Sequence, residues 1–166
     1  MKQVSDGHGG TRDAATVPGI IAGTVVSSNL AKARKFYEEF LGLECVRCAP
    51  DRLIVRDKVA ADFMQRGERG GFVIDVREVD EVSHPQGLLN HWGIAVPSIE
   101  EVDRIRQIAL EEGDKYGIIK VNPITKMHGT YQFYFIDLDN NWWEIEFRNP
   151  NLTHEGILEK GDFNKQ

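Results

Sequence analysis

The sequence predicts an α+β fold built from two copies of one strand–helix–strands unit, and three observations carry that prediction. A constant offset of 69 residues places Ala22 under His91, Asn29 under Ser98 and Asp75 under Glu144. Asn29 and Ser98 each precede a run with helical apolar spacing. Short polar side chains there accept a bond from the orphan N–H groups of a first helical turn. Asp75 and Glu144 each sit inside an apolar strand, Phe72-Val73-Ile74-Asp75-Val76 and Trp142-Trp143-Glu144-Ile145-Glu146-Phe147. One shift thus relates a strand start, a helix cap and a carboxylate within a strand.

The elements follow in order. Residues 1–17 are rich in Gly, Asp, Ser and Thr and read as a flexible N-terminal arm. Gly19 to Val26 is the first strand. In the next segment, Leu30, Ala33, Phe36, Tyr37, Phe40 and Leu41 recur at threes and fours, which predicts one amphipathic helix. Gly42 ends it, because glycine tolerates the left-handed C′ conformation. Leu43 to Cys48 and Leu53 to Val55 read as strands around a Pro50-Asp51 turn. The stretch 57–71 reads as a helical turn or flap with glycines at 67, 70 and 71, and Phe72 to Val76 is the fourth strand. The first module spans 18–78, and a polar linker covers 79–90.

The second module, 91–148, opens with the strand His91-Trp92-Gly93-Ile94-Ala95-Val96. Ser98-Ile99-Glu100-Glu101 is a capping box, in which Ser98 and Glu101 satisfy each other's backbone donors. Val102, Ile105, Ile108 and Ala109 supply the buried stripe up to Gly113. Ile118 to Val121 is a short strand, Pro123 to Gly129 a loop, and Tyr131 to Ile136 and Trp142 to Phe147 form a closing hairpin around residues 137–141. Residues 149–166 read as a tail. Strand side chains alternate between faces. Trp143, Ile145 and Phe147 are therefore expected under the helix, and Trp142, Glu144, Glu146 and His91 on the other face.

Composition narrows the function. Acidic residues outnumber basic ones, 26 to 20, for a formal charge of −6. Without a dense Lys/Arg run, nucleic acid is excluded as the expected partner. No apolar stretch approaches the ~20 residues of a membrane helix, and no secretory leader is visible, so a cytoplasmic location is expected. Cys45 and Cys48 share a Cys-x-x-Cys spacing, yet they lie in a strand that sends them to opposite faces. Structural thiols are the expected role, with redox or zinc chemistry the alternative.

The helix segment from Asn29 to Tyr37, followed by Leu41-Gly42-Leu43, resembles the first helix of the vicinal oxygen chelate superfamily. That group contains glyoxalase I, bleomycin resistance proteins and extradiol dioxygenases. The stretch from Phe133 to Ile145 resembles its closing hairpin. The resemblance covers about residues 19–148. It implies two βαβββ modules that form a half-open barrel of mixed and antiparallel strands, with the helices outside. It also implies a divalent metal held from the first and last strand of each module. Those positions are Ala22, Asp75, His91 and Glu144, the four that the internal offset picks out.

Within that resemblance, His91, Glu144 and Asp75 are the expected metal ligands, and Asp75, His128 and Tyr134 the expected catalytic residues. Trp142 and Phe133 are expected to line the substrate pocket. The metal is Fe, Mn, Co, Ni or Zn, or none, because Ala22 stands where a ligand is usual. His128 and His84 are candidates to replace that ligand. The bland alternatives are specific. His91 and Glu144 can simply bond to each other, Asp75 can pair with Arg77, and Tyr134 and Trp142 can be packing residues. The expected function is a metal-dependent enzyme acting on a small substrate with vicinal oxygens, leaning to an extradiol-like dioxygenase on the spacing of Tyr134 and Glu144. A glyoxalase-type lyase, isomerase or epimerase and a metal-free binding or resistance protein are the alternatives. A homodimer is the expected assembly.

Overall fold

The computed structural model describes residues 3–5, 11–13, 22–57, 72–127 and 129–149. Strands β1 (Gln3–Ser5) and β2 (Thr11–Asp13) form an antiparallel ladder within the expected N-terminal arm. The first sheet contains β3 (Ala22–Ser27), β4 (Glu44–Ala49), β5 (Arg52–Arg56) and β6 (Val73–Glu78), in the order β3-β6-β5-β4. The second contains β7 (Trp92–Ala95), β8 (Lys120–Val121), β10 (Thr130–Ile136) and β11 (Trp142–Arg148), in the order β7-β11-β10-β8. A short β9 (Thr125–Met127) also pairs with β10. In each sheet the first strand lies parallel to the last, and the remaining neighbours are antiparallel. The repeat in the sequence is therefore a repeat in topology. The two sheets and their helices form an α+β fold.

Both helix caps form as the residues dictate. The Asn29 side chain accepts from the Lys32 N–H at 2.9 Å, and the Ser98 hydroxyl accepts from the Glu101 N–H at 3.2 Å. Helix α1 (Leu30–Lys35) continues into a π-helical turn, Phe36–Phe40, in which the Leu41 N–H donates to the Phe36 carbonyl at 3.1 Å. Gly42 then takes φ +68°, the left-handed stop. Helix α2 runs from Ile99 to Glu112. Its capping box is only half used. The Glu101 carboxylate turns away to Arg104, 2.8 Å from Nε, because that pairing on the helix surface competes for the same oxygens.

One core serves both modules. Phe36 packs on Trp143 and Phe135 with ring centroids 5.3 and 5.9 Å apart, and Tyr37 meets Trp143 edge-on. The first helix therefore covers part of the second sheet as well as its own. Residues 123–129, expected as a loop, contain β9, because Thr125, Lys126 and Met127 find partners on β10. The flap expected at 57–71, apart from Asp57, and the tail from 150 onward lie outside the described residues.

Candidate functional site

The site is built on the face of the second sheet that the alternation of β11 turns away from the core. Trp143 and Ile145 point into the core, fully buried. Glu144 and Glu146 point the other way. Register brings Tyr134 directly opposite Glu144, and Gln132 opposite Glu146. On the other side Glu144 lies beside Gly93 of β7. A Cβ at Gly93 would stand 3.4 Å from Glu144 Oε2, so a residue without a side chain leaves the carboxylate open. The result is an open cavity of about 430 Å³ lined by His91, Gly93, Thr130, Gln132, Tyr134, Glu144, Glu146 and Arg148.

His91 and Glu144 are the chemical centre of this cavity. The His91 Nε2 stands 2.9 Å from Glu144 Oε2, and its Nδ1 stands 2.5 Å from the Leu88 carbonyl oxygen. A carbonyl only accepts, so Nδ1 carries a proton. In the neutral ring Nε2 is then a lone pair facing a carboxylate, two acceptors in contact. A cation between them, a second ring proton or a protonated carboxyl relieves that arrangement. A histidine that donates one N–H to a backbone carbonyl and offers its other nitrogen beside a carboxylate is the usual form of a metal-binding histidine.

Tyr134 completes the centre. Its ring meets the His91 ring edge-on at 5.1 Å, and its hydroxyl accepts from Gln132 Nε2 at 2.8 Å. Burial, with the nearby Glu144 and Glu146 carboxylates adding to it, pushes the Tyr134 phenol up to about 12. Tyr134 therefore keeps its proton at neutral pH and acts as a donor. Arg148 donates to Glu146 at 2.9 Å and partly neutralises the acidic face.

The other expected residues are placed differently. Asp75 belongs to the first sheet and does not join His91 and Glu144. The Arg52 guanidinium clasps it through Nε and Nη2, at 2.9 and 2.7 Å, and Arg77 adds a contact at 3.1 Å. Arg52 above all holds the Asp75 carboxyl below its usual range. Among the described residues no group of three or more His, Cys, Asp or Glu converges as a metal site. Phe133, expected in the pocket, is fully buried on the core face, because it is paired with Ile145 and lies one residue out of phase with Tyr134. Trp142 is half-buried at the edge of the site, 6.2 Å from the Tyr134 ring. His84 is exposed in the linker, and Ala22 is exposed at the start of β3. His128 lies outside the described residues. Gln132, Thr130 and Arg148 were not among the expected site residues. The two-residue period of the closing hairpin, run outward from Glu144 and Tyr134, points to all three.

Residues 19–145 match the model of the Glyoxalase/Bleomycin resistance protein/Dioxygenase superfamily. The chain belongs to that family. A trivalent organoarsenical cleaving enzyme of Bacillus sp. (strain MD1) is 29% identical over 131 residues, covering 76% of this chain and 74% of that protein. The fosfomycin resistance protein FosX of Listeria monocytogenes, solved with Mn(II) and a sulfate ion, superposes with a TM-score of 0.60 at 18% identity, over 87% of this chain and 99% of that one. A possible glyoxalase from Bacillus cereus gives 0.58 at 22%, over 78% and 98%. At these identities the solved structures share the fold. No helix among the described residues is long and apolar enough to cross a membrane.

Proposed function

We propose that this protein is a divalent-metal-dependent enzyme, cytoplasmic and homodimeric, acting on a small, polar, oxygen-bearing molecule. The observation that carries the reading is the His91 Nε2 lone pair held 2.9 Å from the Glu144 carboxylate, an arrangement that a divalent cation would satisfy. His91 and Glu144 would hold the ion, which would supply Lewis-acid chemistry to substrate oxygens. His91 and Glu144 give two donors, fewer than the three protein ligands of catalytic zinc sites. Water and substrate oxygens would fill the remaining positions.

Tyr134 would donate a hydrogen bond or a proton to the oxygen that gains charge, since its phenol stays protonated. Glu146, held by Arg148, and Gln132 would orient the substrate's polar groups. Among the described residues the lining contains one phenol ring, Tyr134, beside six other polar or charged side chains and a glycine. That lining supports a lyase- or isomerase-type reaction on a polar molecule over ring cleavage of an aromatic one. The cavity does not suit the organoarsenical for which the Bacillus relative is named. Trivalent arsenic is soft and seeks thiolates, as soft metal ions do. Cys45 is buried, and Cys48 lies on the first sheet beside the Arg52 carbonyl, so neither lines this cavity.

A second reading, a metal-free binding protein, rests on one specific observation: a doubly protonated His91 satisfies both Leu88 and Glu144 without a metal. Metal content separates the two. The enzyme reading expects about one divalent ion per chain in protein prepared without chelator. His91→Ala and Glu144→Ala should each lose it. Protein that takes up no ion on reconstitution would overturn the enzyme reading.

A further inference from the structure

The turn that precedes His91 is more elaborate than a connection requires. Gly87 and Asn90 close it twice. The Gly87 N–H donates to the Asn90 side-chain oxygen, and the Asn90 N–H donates to the Gly87 carbonyl at 3.1 Å. Its base is tied to the closing hairpin. Asn141 Oδ1 accepts from the Gln86 N–H at 2.9 Å, and the Trp142 N–H donates to the Gln86 carbonyl at 3.0 Å. Asn141 is itself buried and fixed by Asp137, which accepts from its backbone N–H at 3.0 Å and its side-chain amide at 3.2 Å. The turn lifts Leu88 and Leu89 to the surface, and Leu89 is 99% exposed, so hydrophobic burial does not hold it in place. Polar bonds do, and they end on the Leu88 carbonyl that meets His91 Nδ1.

We infer that this turn is a positioning device for the proposed metal site: Asn90 and Asn141 hold the Leu88 carbonyl so that His91 keeps its proton on Nδ1 and presents Nε2 to Glu144. The inference rests on the reading of His91 as a ligand and adds how its donor atom is selected. A neutral imidazole has two tautomers of similar energy, and the bond made by one nitrogen decides which is present. Only the tautomer with Nδ1–H offers Nε2 to the cavity. A carbonyl that drifts away frees the ring to place its proton on Nε2, which then donates to Glu144 and no longer binds a cation. Neither asparagine touches the cavity, so both are positioning residues.

Asn90 is exposed and tests the idea with little risk to folding. Asn90→Ala removes the oxygen that closes the turn, and Asn90→Asp keeps it. Two-dimensional ¹H–¹⁵N spectra of the metal-free protein, in mildly alkaline buffer, report which His91 nitrogen carries the proton. Mn(II) titration reports affinity. The wild type and Asn90→Asp should show the Nδ1–H form. Asn90→Ala should shift toward Nε2–H, and its Mn(II) affinity should fall about 10- to 100-fold, the range for outer-shell partners of a metal-binding histidine. An unchanged tautomer in Asn90→Ala, or an equal shift in Asn90→Asp, would overturn the inference. Failure of the wild type to bind Mn(II) would instead overturn the enzyme reading, and the tautomer measurement would still decide the role of the turn.

Discussion

Gly23 and Trp92 occupy the same position in the two modules, 69 residues apart, and they touch. A Cβ built on Gly23 would fall on the Trp92 ring at Cη2 and stand 2.8 Å from Cζ2, with Phe72 Cζ at 3.0 Å. Where two copies of one unit meet around a common axis, equivalent residues face each other and a large pair cannot both fit. The first strand gives up its side chain, and the second fills the space with an indole.

Gly23→Ala should therefore destabilise the protein by about 2 kcal/mol, the usual scale for overpacking a filled site. Urea unfolding measures it. Trp92→Phe in the same chain shortens the ring and should recover part of the loss. An unperturbed Gly23→Ala would show that the seam is loose.

Tyr134→Phe should keep the fold and the metal and lower kcat by about 10²-fold, the lower end of what a positioned acid contributes. Among the described residues the hydroxyl partners Gln132 and the carboxylates of the open face, so packing changes little. Because the phenol is pushed up to about 12, the wild-type pH–rate profile should show no tyrosine limb through neutral and mildly alkaline pH. Ultraviolet titration of tyrosinate checks the same point without turnover.

Much of this architecture was legible in the sequence, and the limits have physical causes. The caps at Asn29 and Ser98, the stop at Gly42 and the faces of β11 follow from local chemistry that acts within a few residues. The offset of 69 found His91 and Glu144, which do meet. It also paired Asp75 with them, and there symmetry misled. The repeat fixes where a carboxylate sits on its own sheet, not which sheet lies opposite, and Arg52 is a cross-strand neighbour that periodicity does not reveal. Phe133 has the opposite parity to Tyr134, so the alternation of strand faces places it in the core and not in the pocket. The π-helical turn at Phe36–Phe40 left no sequence signal, because it answers to packing against Trp143.

The cysteines should behave as unrelated thiols. Burial pushes Cys45 up to about 12, so it has almost no thiolate at neutral pH, while Cys48 is exposed. Iodoacetamide on the native protein should label Cys48 and spare Cys45. The Cys48-labelled protein should retain its divalent ion. A disulfide between the two, or tight binding of a trivalent arsenical that labelling abolishes, would contradict this placement and return the Bacillus relative's substrate to consideration.

Asp75 should reveal itself through pH. Arg52, with Arg77, lowers its folded pKa below the unfolded value of about 3.9. A carboxylate with a depressed folded pKa stabilises the native state above its unfolded pKa, and that contribution disappears as pH falls through the folded value. The pair lies on a partly exposed sheet face, so its contribution is small. Urea midpoints of the wild type should therefore fall between roughly pH 4 and the lower folded value by more than those of Asp75→Asn, which is less stable at neutral pH and lacks this titration. Divalent-ion affinity should be unchanged in the same variant, because Arg52 and Arg77 already occupy the Asp75 carboxylate. Loss of that affinity along with the pH slope would show that Asp75 reaches the ion and is more than an anchor for two arginines.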